Sequence, residues 1–144
     1  LSNSCERIHD YIFAEINYHA AYEPTRSIRS DRYVYIRRFD ERSALVLPNV
    51  DNTPSRRYLV DNGWREQPRD QEMLFDSFFD PDGQRNLIGQ PHVRSVEREL
   101  REQLRDWMER TGDPLLSGMV PAPSGSKVND PDDFTAQDPP QTIE

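Results

Sequence analysis

The chain has almost no cysteine and almost no lysine. Cys5 is the one cysteine of 144 residues, which excludes an internal disulfide and a cysteine-rich zinc site. Cys5 has only His9 as a nearby helper, so it reads as an inert thiol and not as a nucleophile. Apolar residues make up only 34%. No apolar run approaches the roughly 18 residues of a membrane helix, so no membrane span is expected. The opening LSNSCERIHD has no hydrophobic segment of the signal-peptide kind. It also lacks an initiator Met, and the expectation is a fragment of a longer protein, which leaves the compartment unread. No Gly-rich phosphate loop and no HExxH is present, and the three histidines are scattered. A basic excess is missing too. Residues 1–111 carry 20 acids and 17 arginines, and residues 112–144 six acids and one lysine. The acidity therefore sits in the last part, and nucleic-acid binding, which needs a basic surface, is not expected.

What is present is arginine: 17 of the 18 basic residues, with Lys127 the exception. Compositional bias explains this plainly. The functional reading is that some guanidinium forks grip carboxylate, sulfate or phosphate.

The pattern predicts an α+β domain over residues 1–111. Tyr11–Tyr18, Thr25–Ser30, Tyr33–Phe39 and Glu72–Phe75 read as strands of a small four-stranded antiparallel sheet. Ser30-Asp31-Arg32 reads as a hairpin connection, and Pro24 as a loop marker. The stretch from Asp40 to Asp70 reads as a long excursion with a helical turn near Arg56–Val60; loops of this length are usually functional or disordered. Trp64 within it suits packing or a sugar-stacking platform. In Leu74–Leu87 a strand passes through the turn Asp80-Pro81-Asp82-Gly83 toward a helix. The acids of Asp76–Asp82 lack the spacing of a calcium loop and read as turn formers. From His92 to Arg110, Val93, Val96, Leu100, Leu104, Trp107 and Met108 share one helical face. Pro91 suits its first turn and Gly112 its exit. Its only partner of sufficient size is the sheet. Residues 112–144, with six prolines and no periodicity, read as an irregular tail that wraps over a larger structure or is disordered.

No complete catalytic constellation is visible. The cluster that invites a binding role is Glu15, Asn17, His19, Tyr22, Arg26 and Arg29 around the first strand connection. His19 stands at a strand exit, where a rigid scaffold often presents ligand contacts. The plain alternative is a satisfied structural histidine, with Arg26 paired to Glu15 or Glu23.

LFDSFFDP followed by QRNL resembles the C-terminal signature of type I sulfatases, L-Y-D-L and then D-P-x-E-x-x-N-L. FAEINYHAAYEPTRSIRSDRYVYIRRF resembles the segment those enzymes carry as E, then H, then P-M-R-x-I-R-T-x-x-Y-K-Y-I. WMERTGDPLL is similar to the close of the branch that includes the heparan N-sulfatases. The match runs from about Phe13 to Leu116. Phe75, Ser77, Gly83, Thr25 and Val34 stand where Tyr, Leu, Glu, Met and Lys are usual.

The resemblance implies the C-terminal subdomain of a sulfatase, acting on sulfuric esters or sulfamates. The formylglycine nucleophile and a divalent metal, Ca or Mg, would come from an N-terminal domain; Cys5 is not followed by x-Pro-x-Arg and cannot be that residue. The fragment alone would be inactive, with no catalytic and no metal-binding residue of its own. It would pack against that domain and shape the rim of a pocket for a sulfated sugar or other sulfate ester. The implied substrate residues are His19, bonding a sugar hydroxyl, and Arg26, contacting an anion, with Glu15 and Tyr22 behind them. The rival reading is a stand-alone, non-catalytic binding or interaction module with the same fold.

Overall fold

A computed structural model describes residues 9–144; Cys5 lies outside the described residues. The strands are β1 (Ile12–Tyr18), β2 (Tyr22–Arg29), β3 (Tyr33–Arg38) and β4 (Glu72–Asp76). They form one antiparallel sheet in the order β1-β2-β3-β4. Helix α1 spans Pro54–Asp61 and helix α2 Arg94–Thr111, and the short strands β5 (Lys127–Val128) and β6 (Gln141–Thr142) pair late in the chain. The architecture is α+β, as the alternation of strands and the single helical face predict.

Strand alternation sorts the side chains into two faces. Ile28, Tyr35 and Leu74 are cross-strand neighbours, all fully buried. Onto them α2 lays Leu100, Leu104 and Met108, with Val93 and Leu87 closing the end. Phe13 stacks flat on Trp107, ring centres 4.9 Å apart. Two polar contacts hold the flanks of the helix. The Tyr11 hydroxyl donates to Glu99 at 2.6 Å, and Arg101 bonds Glu72 of β4. Gly112 ends the helix at φ 66°, a left-handed conformation that glycine adopts without steric cost.

One expectation is corrected. Pro24 does not mark a loop: it is a fully buried residue inside β2. The pairing shifts there, from Ile16 opposite Thr25 to Tyr18 opposite Tyr22. Proline fits such an irregularity, where the ladder needs no N–H, and its carbonyl accepts the Phe39 N–H at 2.9 Å. The helical turn near Arg56–Val60 is a capped two-turn helix, with the Thr53 hydroxyl accepting from the Arg56 N–H at 3.2 Å. Trp64, in the turn that follows it, is half-buried.

The residues beyond Gly112 fold back on their own chain. Tyr18 donates its hydroxyl proton to the Val120 carbonyl, and the Val120 N–H donates to the Tyr22 hydroxyl. Further along, Arg42 pairs with Asp132, and the Arg56 guanidinium bonds the Phe134 carbonyl and lies over its ring. Buried arginines and paired tyrosines hold this segment, in place of the apolar periodicity it lacks.

Candidate functional site

The connection from β1 to β2 is three residues, His19, Ala20 and Ala21. Its backbone is gripped from two sides. Asn49 Oδ1 accepts the N–H groups of Ala20 and Ala21 at 2.9 and 2.8 Å, and its Nδ2 donates to the Ala21 carbonyl and to Glu23. The Asn129 N–H donates to the Ala20 carbonyl at 2.8 Å. Asn129 is itself buried and bonded to Asp133 and to the Asp138 carbonyl. Ala21 is fully buried, while His19 beside it is exposed. Among the described residues the His19 imidazole has no hydrogen-bond partner. The arrangement is a fixed backbone presenting a free imidazole.

A charged layer supports Asn49. Arg69 is buried and donates to Glu23 and Asp40, both at 2.7 Å. Arg38 lies 3.7 Å from Glu23. Burial and the neighbouring Arg69 pull the Arg38 pKa below its usual range, against the opposing pull of Glu23 and Asp40. Arg69 Nε and Asp40 Oδ2 find no partner among the described residues. This layer ties the excursion of residues 40–71 to β2.

Arg26 takes a different place from the one expected. Its side chain is fully buried. Nε and Nη2 bond the two oxygens of Asp113 at 2.5 and 2.9 Å, and Nη1 reaches the carbonyls of Ile16 and Thr25 and Oδ1 of Asn17. Each guanidinium nitrogen is therefore bonded within the chain, and none is left to contact an anion. Arg26 is a positioning residue that seals the exit of α2 onto β2. Burial pushes the Asp113 carboxyl up, but hydrogen bonds from Arg26 and the Leu115 N–H outweigh this and leave its pKa below the usual range. Glu15 lies opposite Arg26 in the sheet, 3.5 Å from Nε and more than half exposed. Tyr22 is half-buried, its hydroxyl engaged by Val120. Of the four candidates, His19 alone is both exposed and unengaged.

Asn49, Asp113 and Asn129 escaped the sequence reading. Asp113 had a local signal, since it stands between the helix-ending Gly112 and Pro114 and caps the turn that follows. Asn49 and Asn129 gave none.

No protein-family model matches the chain. An ulvan-active sulfatase of Formosa agariphila is 33% identical over 101 residues, covering 69% of this chain and 20% of that protein. The chain thus spans about a fifth of the curated relative it matches. Two solved structures share the fold. A 2-O GAG sulfatase superposes with a TM-score of 0.52 at 22% identity, covering 82% of this chain and 20% of its own. A candidate sulfatase of Bacteroides thetaiotaomicron gives 0.54 at 20% identity, covering 92% and 24%. The chain is homologous to one part of a sulfatase, a part that amounts to about a fifth of the relative's length.

Proposed function

We propose that the chain is the C-terminal subdomain of a formylglycine-dependent sulfatase of the heparan N-sulfatase-like branch. It shapes the substrate side of an active centre carried by an N-terminal domain. The substrate would be a sulfated sugar, hydrolysed at a sulfuric ester or a sulfamate. No Cys or Ser in the chain precedes x-Pro-x-Arg, so the nucleophile and a Ca or Mg ion belong to that other domain.

The observation that carries this reading is His19: exposed, with no side-chain hydrogen-bond partner among the described residues, and set on a turn whose backbone is clamped by Asn49 and Asn129. A rigidly held donor lined up with a sugar hydroxyl contributes to rate because its orientation is settled before substrate arrives. Tyr22 opens the strand after it, Glu15 stands further back on β1 opposite Arg26, and Arg26 acts from beneath by holding β1, β2 and Asp113 together.

A second feature fits the same reading. The sheet face away from α2 carries Ile12, Ala14 and Ile16, with Ile36 and Met73 across the strands. Ile12 is 65% exposed and Ile16 43%. An apolar face of this kind suits burial against the larger domain.

The test is His19→Ala in the whole sulfatase. Losing one hydrogen bond of roughly 1.4 kcal/mol should lower kcat/KM about tenfold, with melting unchanged. An unaltered kcat/KM on the enzyme's own substrate would remove His19 from the pocket.

A further inference from the structure

The end of the sheet opposite His19 holds a cavity of about 260 Å³, lined among others by Arg32, Asp76, Phe79, Asp80, Arg85 and His92. Phe79 is part of its wall, and Phe78 packs beside Phe79. Phe78 and Phe79 are 75% and 74% exposed, and they meet edge to face, 4.9 Å between centres. They are held there because their N–H groups donate to Asp76 Oδ1 at 3.1 and 3.3 Å. Arg32 makes a two-pronged pair with Asp76, Nη2 to Oδ2 at 2.6 Å. Its guanidinium also lies 5.0 Å from the Tyr33 ring centre and 5.1 Å from that of Phe79.

The acids of this wall are already engaged. Asp76 serves Arg32 and the two phenylalanine amides. Asp80 accepts the N–H groups of Gln84 and Arg85 at 3.0 and 2.8 Å. Neither the guanidinium of Arg85 nor the imidazole of His92 makes a hydrogen bond among the described residues, though the charge of Arg85 helps hold the Asp80 carboxyl below its usual range, after the Gln84 and Arg85 N–H groups. A ligand entering the cavity therefore meets the exposed Phe79 ring, the guanidinium of Arg85, which donates no hydrogen bond among the described residues, and the outer edge of that of Arg32.

We infer that this cavity binds an anionic sugar residue, with Phe79 stacked on its C–H face and Arg85 on its sulfate or carboxylate. A phenyl ring offers no hydrogen bond, so its contribution is apolar contact with a flat partner. A guanidinium fork matches the oxygens of sulfate or carboxylate. The volume lies just below the roughly 300 Å³ at which drug-sized sites begin, which suits one sugar ring. A protein partner would need a surface of about 800 Å², far more than two phenyl rings supply. The inference stands on this cavity and does not depend on His19.

The test is amide chemical-shift mapping of the whole chain against a dextran sulfate oligosaccharide and unsulfated dextran of equal length. Saturable shifts at Phe79, Gly83, Arg85 and His92 with the sulfated probe only are expected. Arg85→Gln should weaken binding about tenfold, in line with loss of one charge-assisted hydrogen bond. Phe79→Ala should weaken it and Phe79→Tyr should retain it. Arg57→Gln, an exposed arginine on α1, should leave it unchanged. Equal loss in Arg57→Gln would mean generic charge attraction and would overturn the site. So would equal binding of the unsulfated probe, or no saturable shift at these amides. Shifts confined to Tyr18–Tyr22 would also overturn it while supporting the role of His19. A dimer that Phe79→Ala converts to monomer, seen by light scattering, would make the phenylalanines a protein interface and end the proposal.

Discussion

Two arginine–aspartate pairs close the two ends of the sheet, and they differ in almost everything but their chemistry. Arg26–Asp113 is sealed, with both side chains at most 1% exposed. Arg32–Asp76 is open on one side only, with the arginine side chain 48% exposed and the aspartate 10%. The sealed pair is surrounded by further acceptors from the β1–β2 backbone, so its geometry is settled by the fold. The open pair is flanked by aromatic rings and a cavity, so one edge of its guanidinium remains available. Removing one partner of a buried pair leaves an uncompensated charge, whereas a surface pair trades its partner for water. The same residue types thus act as a structural lock in one place and as part of a ligand-facing wall in the other.

The contrast is open to direct attack. The largest effect expected is from Arg26→Ala or Asp113→Ala, about 3–5 kcal/mol in urea unfolding, because each strands a buried charge. Values near those of a surface pair would break the comparison. Leu100→Ala, beneath the helix, should cost about 2–5 kcal/mol and give a size scale for the first result. Asn49→Ala leaves the Ala20 and Ala21 amides unpaired and should cost about 1–3 kcal/mol, with faster amide hydrogen exchange confined to residues 19–22.

Acid titration comes next. The Asp113 and Asp76 carboxyls both lie below their usual pKa, Asp113 despite its burial and Asp76 chiefly through Arg32. A depressed carboxylate pKa adds stability that is complete above the unfolded value, near 4, and is lost as pH falls through the folded value. Melting temperature should therefore be flat above about pH 5 and fall below about pH 4, with a shallower fall in Asp113→Asn. The smallest effect is from Arg32→Ala, which should shift melting by no more than roughly 2 °C.

The four strands and α2 were legible because each is a local pattern: alternation in β1 and β3, one apolar stripe from Val93 to Met108. Turn chemistry at Asp80–Gly83 was legible for the same reason, and the structure shows Asp80 bonding the amides that follow it. Pro24 misled because proline punctuates loops more often than it occupies a strand irregularity. The excursion from Asp40 to Asp70 gave no pattern because polar side chains hold it, through partners far away in sequence. Glu23 finds Arg69 and Ala20 finds Asn49, just as Arg26, outside the excursion, finds Asp113. None of these pairs leaves a periodic trace. His19 was legible as exposed chemistry at a strand exit; the clamp that makes it rigid was not, and neither was the sealing of Arg26.

The clamp on the His19 turn joins residues 20, 49 and 129. Such a junction cannot form by closing a neighbouring hairpin. It requires two long loops to be closed first, and their entropy must be met before the bonds return anything. The β1–β2–β3 meander can close its hairpins from nearer contacts, so the clamp is added to a turn that the hairpin has already formed. Substitutions at Asn49 should then leave the folding rate alone and speed unfolding. The imidazole is thus carried by a local hairpin whose stiffness is lent to it by two distant parts of the chain.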